Sequence, residues 1–228
     1  MKSFVMHDVA QVRRLQDFTA NYPACLPPFE VVEAITPETA PPMPEWWQES
    51  AACWAHLQTT LKTFRLGAAS GEDFLVFEDD AIFSPDFEEV FTQAVNDLPN
   101  GWDMFYPGGC HLDCEIYPPV QYGEHLLRGR RIHWNTCQLI NKKAVHRLID
   151  FLEEPAWPCP HVTDHRFNML HFNPTFIALS PMRFVVGQSA GTSTINGRDV
   201  PEKWGNNFYF IDWLGNKITV RENPEGVW

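Results

Sequence analysis

No run in this sequence approaches the ~20 consecutive apolar residues of a membrane-spanning helix, so no membrane span is expected. Basic charge is scarce: 17 Lys and Arg stand against 29 Asp and Glu, for a formal net charge of −12. Such a chain repels phosphates, which argues against unaided nucleic-acid or anionic-membrane binding. A phosphate-bearing substrate would call for a divalent cation as mediator. With 6 cysteines in 228 residues, the chain is too poor in cysteine for a disulfide scaffold. The opening MKSFVMHDVAQVRR has only a short apolar stretch before polar residues, so no secretory signal is read, and reduced thiols in a cytoplasmic setting are expected. Cys110-His111-Leu112-Asp113-Cys114 has zinc-binding residue types, but no second pair with zinc-like spacing follows. Repeats and low-complexity segments are absent as well.

Apolar residues make up 44% of the chain, enough for one large domain with a substantial core. Aromatics reach 14%, including 9 Trp and 17 Phe, which fill cores and also form stacking floors for sugars and bases. Strand-like SFVMH (3–7) precedes a helix expected over 9–20 with Asp8 as its N-cap. FEVVEAIT (29–36) reads as a second strand, and the proline-rich TPETAPPMPEW that follows cannot be helix or central strand. A long helix is expected over 47–66, then the strand FLVF. Ser84 and Pro85 start a helix over 86–97. WDMFY (102–106) is a strand closed by Pro107-Gly108-Gly109. A strand over 131–140, a helix over 141–154 and a short helical stretch opened by Asp164 come next. TFIAL and RFVV are late strands, and NFYFIDWLGNKITV is a β-hairpin turning at Gly215-Asn216. Alternating strands and helices define an α/β protein with a mixed, mainly parallel sheet flanked by helices. A single domain over 1–200 is expected, with 201–228 as a hairpin extension packed on it.

Ligands in such sheets bind beyond the carboxyl ends of strands, and FLVFEDDAIF (74–83) places Glu78, Asp79 and Asp80 at such an end. Adjacent strand residues face opposite ways, so Glu78 is expected to stay in the strand while Asp79 and Asp80 enter the loop. Carboxylates held this close resist joint ionisation unless a cation neutralises them, and Mg²⁺ or Mn²⁺ would do so. An acidic turn ahead of a helix start is the plainer reading of the same residues.

FLVFEDDAIFSPDF resembles the hallmark segment of glycosyltransferase family 25, the group of lipooligosaccharide and procollagen galactosyltransferases. AACWAHLQTTLKTF (51–64), WDMFYPGG (102–109) and TCQLINKKAVHRLI (136–149) are similar to further segments of that family, in the same order. Ala55 stands where the family has Ser, and the family's opening motif is altered to VMHDV. The terminal WGNNFYFIDWLGNKITVRENPEGVW matches nothing in the family. The resemblance implies a GT-A-type, Rossmann-like fold and transfer of a hexose, galactose above all, from a UDP-sugar to a glycan or other hydroxyl acceptor, as in lipopolysaccharide assembly. It implies Mn²⁺ (or Mg²⁺) on Asp80 and Asp79, with Glu78 orienting them or the donor's ribose.

A transferase that inverts the sugar needs a base for the acceptor hydroxyl. Asp164 is the candidate through the same resemblance, with a helix N-cap as its plainer role; Asp79 is the other candidate catalytic carboxylate, and His165 and Asp103 are lesser ones. Arg14, His56, Gly108, Gly109, Gln188 and Ser189 are candidate donor-site residues, with Ser193 beside them and Trp102 and Trp134 as possible sugar-stacking rings. Each has a structural alternative: a solvated helix face for Arg13 and Arg14, a core histidine for His56, turn glycines, and a plain loop for 188–193. Two other functions stay open. A metal-dependent phosphoryl hydrolase would use the same acids with further carboxylates at a second strand end. A carbohydrate-binding relative without catalysis is consistent with the altered opening motif and with Ala55.

Overall fold

A computed structural model of the chain describes residues 1–155, 163–193, 197–205 and 209–219. Strand β1 (Lys2–His7) leads to α1 (Val12–Asn21) and β2 (Phe29–Glu33). Helix α2 (Ala51–Ser70) leads to β3 (Phe74–Glu78), β4 (Ala81–Phe83) and α3 (Phe87–Asn96). Next come β5 (Met104–His111), β6 (Val120–Gln121), β7 (Leu126–Arg128), β8 (Ile132–Ile140), α4 (Val145–Glu153) and α5 (Thr163–His171). The remaining strands are β9 (Ala178–Pro181), β10 (Val186–Gln188), β11 (Gly191–Thr192), β12 (Asp199–Val200), β13 (Tyr209–Ile211) and β14 (Lys217–Thr219).

The main sheet has the order β14-β13-β6-β7-β9-β5-β8-β3-β1-β2, with β10 and β4 attached beside β5. In its central part β9, β5, β3, β1 and β2 run one way, and β8 opposes both of its neighbours. The protein is therefore mixed α/β, with a mainly parallel central sheet flanked by helices. Strands β13 and β14 pair antiparallel, and Ile211 of β13 joins the sheet beside Val120 of β6. Residues 220–228, Cys159 and the segment just before Thr163 lie outside the described residues.

Strand alternation sends Phe4, Met6, Phe74 and Val76 to one face, where α2, α4 and α5 cover them. Val5, Leu75 and Phe77 go to the other face, against Phe18 of α1 and Phe87 and Phe91 of α3. Helix α2 is the buried pillar of the first face. Ser50 caps its start by accepting the Cys53 N–H at 3.2 Å, and Gly71 ends it at φ 67°. Thr59, Thr60 and Thr63 bury their hydroxyls by donating to carbonyls one turn back. Gly67 lies so close to the Phe74 ring that an added Cβ would sit 2.4 Å from it.

Several boundaries differ from the sequence expectations. Helix α1 begins at Val12, because Asp8 closes a turn of its own, accepting the Ala10 N–H on Oδ1 and the Gln11 N–H on its carbonyl. Trp46 and Trp47 precede α2 and pack with Trp54 as an aromatic cluster. Asn141 Oδ1 accepts the Lys143 N–H at 2.9 Å, a turn that delays α4 to Val145. Strand β5 runs straight through Pro107, Gly108 and Gly109, with register shifts against β8 instead of a turn. Strand β4, inserted between the acids and α3, has only three residues and no distinct pattern of its own.

Candidate functional site

Parallel pairing of β1 with β3 sets Met6 opposite Glu78, so both strands finish at one level of the sheet. Glu78 shares the face of Phe74 and Val76, which points it at α2, and there its Oε1 meets His56 Nε2 at 3.1 Å. Asp79 and Asp80 lie in the turn beyond and meet groups from elsewhere. His7 Nδ1, at the end of β1, is 2.7 Å from Asp79 Oδ2. Arg14 of α1 places Nη1 3.6 Å from Asp79 and 3.4 Å from Asp80, and its Nη2 donates to the Thr192 carbonyl of β11 at 2.5 Å. Three consecutive acids thus serve two helical layers: Glu78 faces α2, and the aspartates face α1.

Antiparallel pairing of β4 with β10 puts Ala81 opposite Gln188. Gln188 Nε2 therefore donates to Asp80 Oδ2 at 3.0 Å, and the Ser189 N–H donates to the Asp80 carbonyl at 2.8 Å. Among the described residues, Asp80 Oδ1 is buried and has no hydrogen-bond partner. Burial and the Glu78 charge push the Asp80 carboxyl up to about 7, against the opposing pull of Gln188 and Arg14. Burial also raises Asp79, with His7 and Arg14 acting the other way. Burial alone would lower the pKa of His56, but its hydrogen bond to Glu78 and the nearby carboxylates raise it.

These groups open on a cavity of about 380 Å³. Glu78, Asp79, Asp80, Arg14, His56 and Gln188 line it, together with Asp8, Ser193, the end of β1 and the loop 34–38. Among the described residues lining it, Arg14 is the one permanent cation against carboxylates from Asp8, Glu38, Glu78, Asp79 and Asp80. An anionic ligand entering alone would meet net repulsion. The all-oxygen donors, the partnerless Asp80 Oδ1 and the excess of negative charge fit a hard divalent cation.

Other residues singled out in the sequence lie elsewhere. Gly108 and Gly109 are buried inside β5, where a Cβ would sit 2.9 Å from Val186 and from the His133 carbonyl respectively. They let β10 and β8 pack closely and are not among the cavity's lining residues. Ser189 contributes its backbone, and Asp103 accepts the Ile177 N–H at 2.7 Å as a local tie. Arg13 is exposed and pairs with Asp17 on its own helix, and Trp102 is buried.

Asp164 sits in the first turn of α5 and is also outside the lining. Its Oδ2 is 3.0 Å from His133 Nδ1 and accepts the Trp134 N–H at 3.3 Å, while Oδ1 accepts the His165 N–H at 2.8 Å. Burial would raise this carboxyl, but His133 and His165 hold it below the usual range. A thread joins the two clusters: Thr163 Oγ1, next to Asp164, is 3.0 Å from His56 Nδ1. Sequence reasoning missed His7, Thr163 and His133. Only His7 carried a usable signal, as a polar residue closing a strand beside the acidic one.

No family model matches the sequence, and neither does any curated protein. Among solved structures, the chain is similar to a glycosyltransferase involved in glycosylating the major capsid of PBCV-1, at 13% identity and TM-score 0.42, over 78% of this chain and 80% of that one. Mouse xyloside xylosyltransferase 1 gives 13% identity and TM-score 0.37, over 76% and 69%. An inositol-1-phosphate CTP transferase of T. maritima gives 13% and 0.33, over 79% and 88%. Likenesses this distant carry no argument for the fold or activity of this chain. No helix among the described residues is long and apolar enough to cross a membrane.

Proposed function

We propose that the cavity binds a nucleotide-diphosphate sugar together with a divalent cation, and that the chain transfers the hexose to a hydroxyl acceptor. One observation carries this reading: among the described residues, Asp80, buried at a strand end with a partnerless Oδ1, stands beside two further acids in a cavity lined by one permanent cation. Asp80 and Asp79 would hold Mn²⁺ or Mg²⁺, which would neutralise the diphosphate as it departs. Arg14, which bridges the acids and the β11 backbone, would turn a guanidinium N–H to a phosphate oxygen once the cation neutralises the acids. Glu78, held through Oε1 by His56, would offer its other carboxylate oxygen to a sugar or ribose hydroxyl. The loop 34–38, with Ile35 and Pro37 on the cavity, gives a nucleobase an apolar wall.

In the transfer, the acceptor oxygen bonds to the anomeric carbon while the bond to the diphosphate breaks, and the hydroxyl proton passes to a base. Asp164 reaches the cavity only through Thr163 and His56, so this reading assigns it no proton. Galactose and UDP rest on the resemblance of FEDD and its neighbouring segments to family 25.

Calorimetric titration of UDP and UDP-hexoses, with and without Mn²⁺, tests the proposal. Metal-dependent binding that disappears in Asp80→Ala is expected. Binding of free glycans without nucleotide affinity would replace the reading with a carbohydrate-binding one. Phosphoester hydrolysis without sugar transfer would replace it with a hydrolase, a reaction for which Asp8, at the end of β1, supplies a second strand-end carboxylate.

A further inference from the structure

Away from the three acids, two imidazoles and one carboxylate converge on the opposite side of the Thr163–His56 thread. One ligand atom each from His133, Asp164 and His165 lies within 4.8 Å of the others. The His133 and His165 rings stand edge to face with centroids 4.1 Å apart. His133 is 9% exposed, its Nδ1 lies against Asp164, and its Nε2 is buried with no hydrogen-bond partner among the described residues. A buried ring nitrogen without a hydrogen-bond partner, beside a second imidazole and a carboxylate, calls for an explanation, and a bound ion supplies one. The backbone reinforces the point. Trp134, between His133 and Asn135 in β8, has φ 67°, a left-handed conformation that strains a bulky residue. That kink turns the Trp134 N–H onto Asp164 and interrupts the register of β8 with β5 at His133.

We infer that His133, Asp164 and His165 form a transition-metal site, distinct from the carboxylate cluster, that takes Zn²⁺ or a similar borderline divalent ion. The donor types decide the ion. Neutral imidazoles suit Zn²⁺, Co²⁺ or Ni²⁺, whereas Mg²⁺ and Mn²⁺ favour the all-oxygen cluster at Asp79 and Asp80. Ligands ~2.1 Å from a tetrahedral ion lie roughly 3.4 Å apart, so small side-chain rotations close the observed spread. Three protein donors leave one position open for water or a substrate oxygen, the arrangement of a catalytic zinc site. Asp164, as a ligand, is then not a free base.

Calorimetry with Zn²⁺, and visible absorption with Co²⁺, test the site on the full chain without nucleotide. One tight ion per chain is expected with excess Mg²⁺ present to occupy the carboxylate cluster, with a tetrahedral Co²⁺ spectrum. His165→Ala changes a half-buried residue and should leave the fold intact by circular dichroism. It should weaken Zn²⁺ by more than about 100-fold, beyond the 10–100-fold that loss of an outer partner costs. Asp80→Asn should leave Zn²⁺ affinity unchanged. An absent site in the wild-type chain, unaltered affinity in His165→Ala, or loss of Zn²⁺ in Asp80→Asn would each overturn the assignment. None of these results bears on nucleotide-sugar binding, so the two proposals fail separately.

Discussion

Gln188 donates from Nε2 to Oδ2 of Asp80 across 3.0 Å, joining residues 108 positions apart in sequence. The bond occupies one oxygen of the carboxylate while the other has no partner among the described residues. Gln188→Ala removes this donor. It is expected to weaken Mn²⁺-supported UDP binding by about 10-fold, the scale of a hydrogen bond to a charged group. UDP titrations at graded Mn²⁺ should show the loss, and undiminished affinity would rule out a role for this bond in the site.

Asp80 also sets a pH dependence. Burial and Glu78 raise its carboxyl from 3.8 to about 7 in the folded chain. A raised acid favours folding below its unfolded value, and that contribution fades as pH climbs through the folded one. The metal-free protein should therefore lose on the order of 1–3 kcal/mol between about pH 4 and about pH 8 from this group. Asp80→Asn, with no proton to release, should flatten that limb. Urea melts in chelator across this range give the answer, and superimposable profiles would contradict the assignment.

Arg14 bridges Asp79, Asp80 and the Thr192 carbonyl. Arg14→Ala is expected to reduce UDP affinity roughly 10- to 100-fold, as loss of a charge-assisted contact does. Arg14→Lys should recover only part of this, since an ammonium cannot reach the acids and the carbonyl with separate fork nitrogens. Full recovery in the lysine variant would reduce Arg14 to a point charge.

Gly205 packs directly on the backbone of Gly109, and a Cβ there would lie 1.5 Å from the Gly109 carbonyl oxygen. Gly205→Ala must push this segment off β5, at a cost of about 2 kcal/mol or more. Lys203 pairs with Gln188 through both backbone groups, so the displacement should also weaken nucleotide binding. Chemical denaturation and the UDP titration report the two effects together.

The pattern of apolar residues made the strand–helix alternation legible, and it placed FLVF and its acids at the sheet end where the cavity opens. The separation of Glu78 from Asp79 and Asp80 followed from strand alternation alone. Other features were not local properties. The three residues of β4 show themselves only through β10, far along the chain. Pro107-Gly108-Gly109 carries the residues of a turn, yet tight packing against Val186 and the His133 carbonyl keeps it a strand. His133 and Asp164 are 31 residues apart and meet only once β8 and α5 are docked, so neither spacing nor composition announced their contact.

Helix α2 holds a further consequence. Its C-terminal half is wedged against Phe74 at Gly67, while His56, three turns earlier, must point at Glu78. Each added residue rotates everything before it by roughly 100° around the helix axis. An insertion between His56 and Gly67 would swing the imidazole off the sheet end, whereas the proline-rich stretch ahead of Ser50 can change length without disturbing that angle. The tolerance of this protein to length variation is thus set by the phase of one helix.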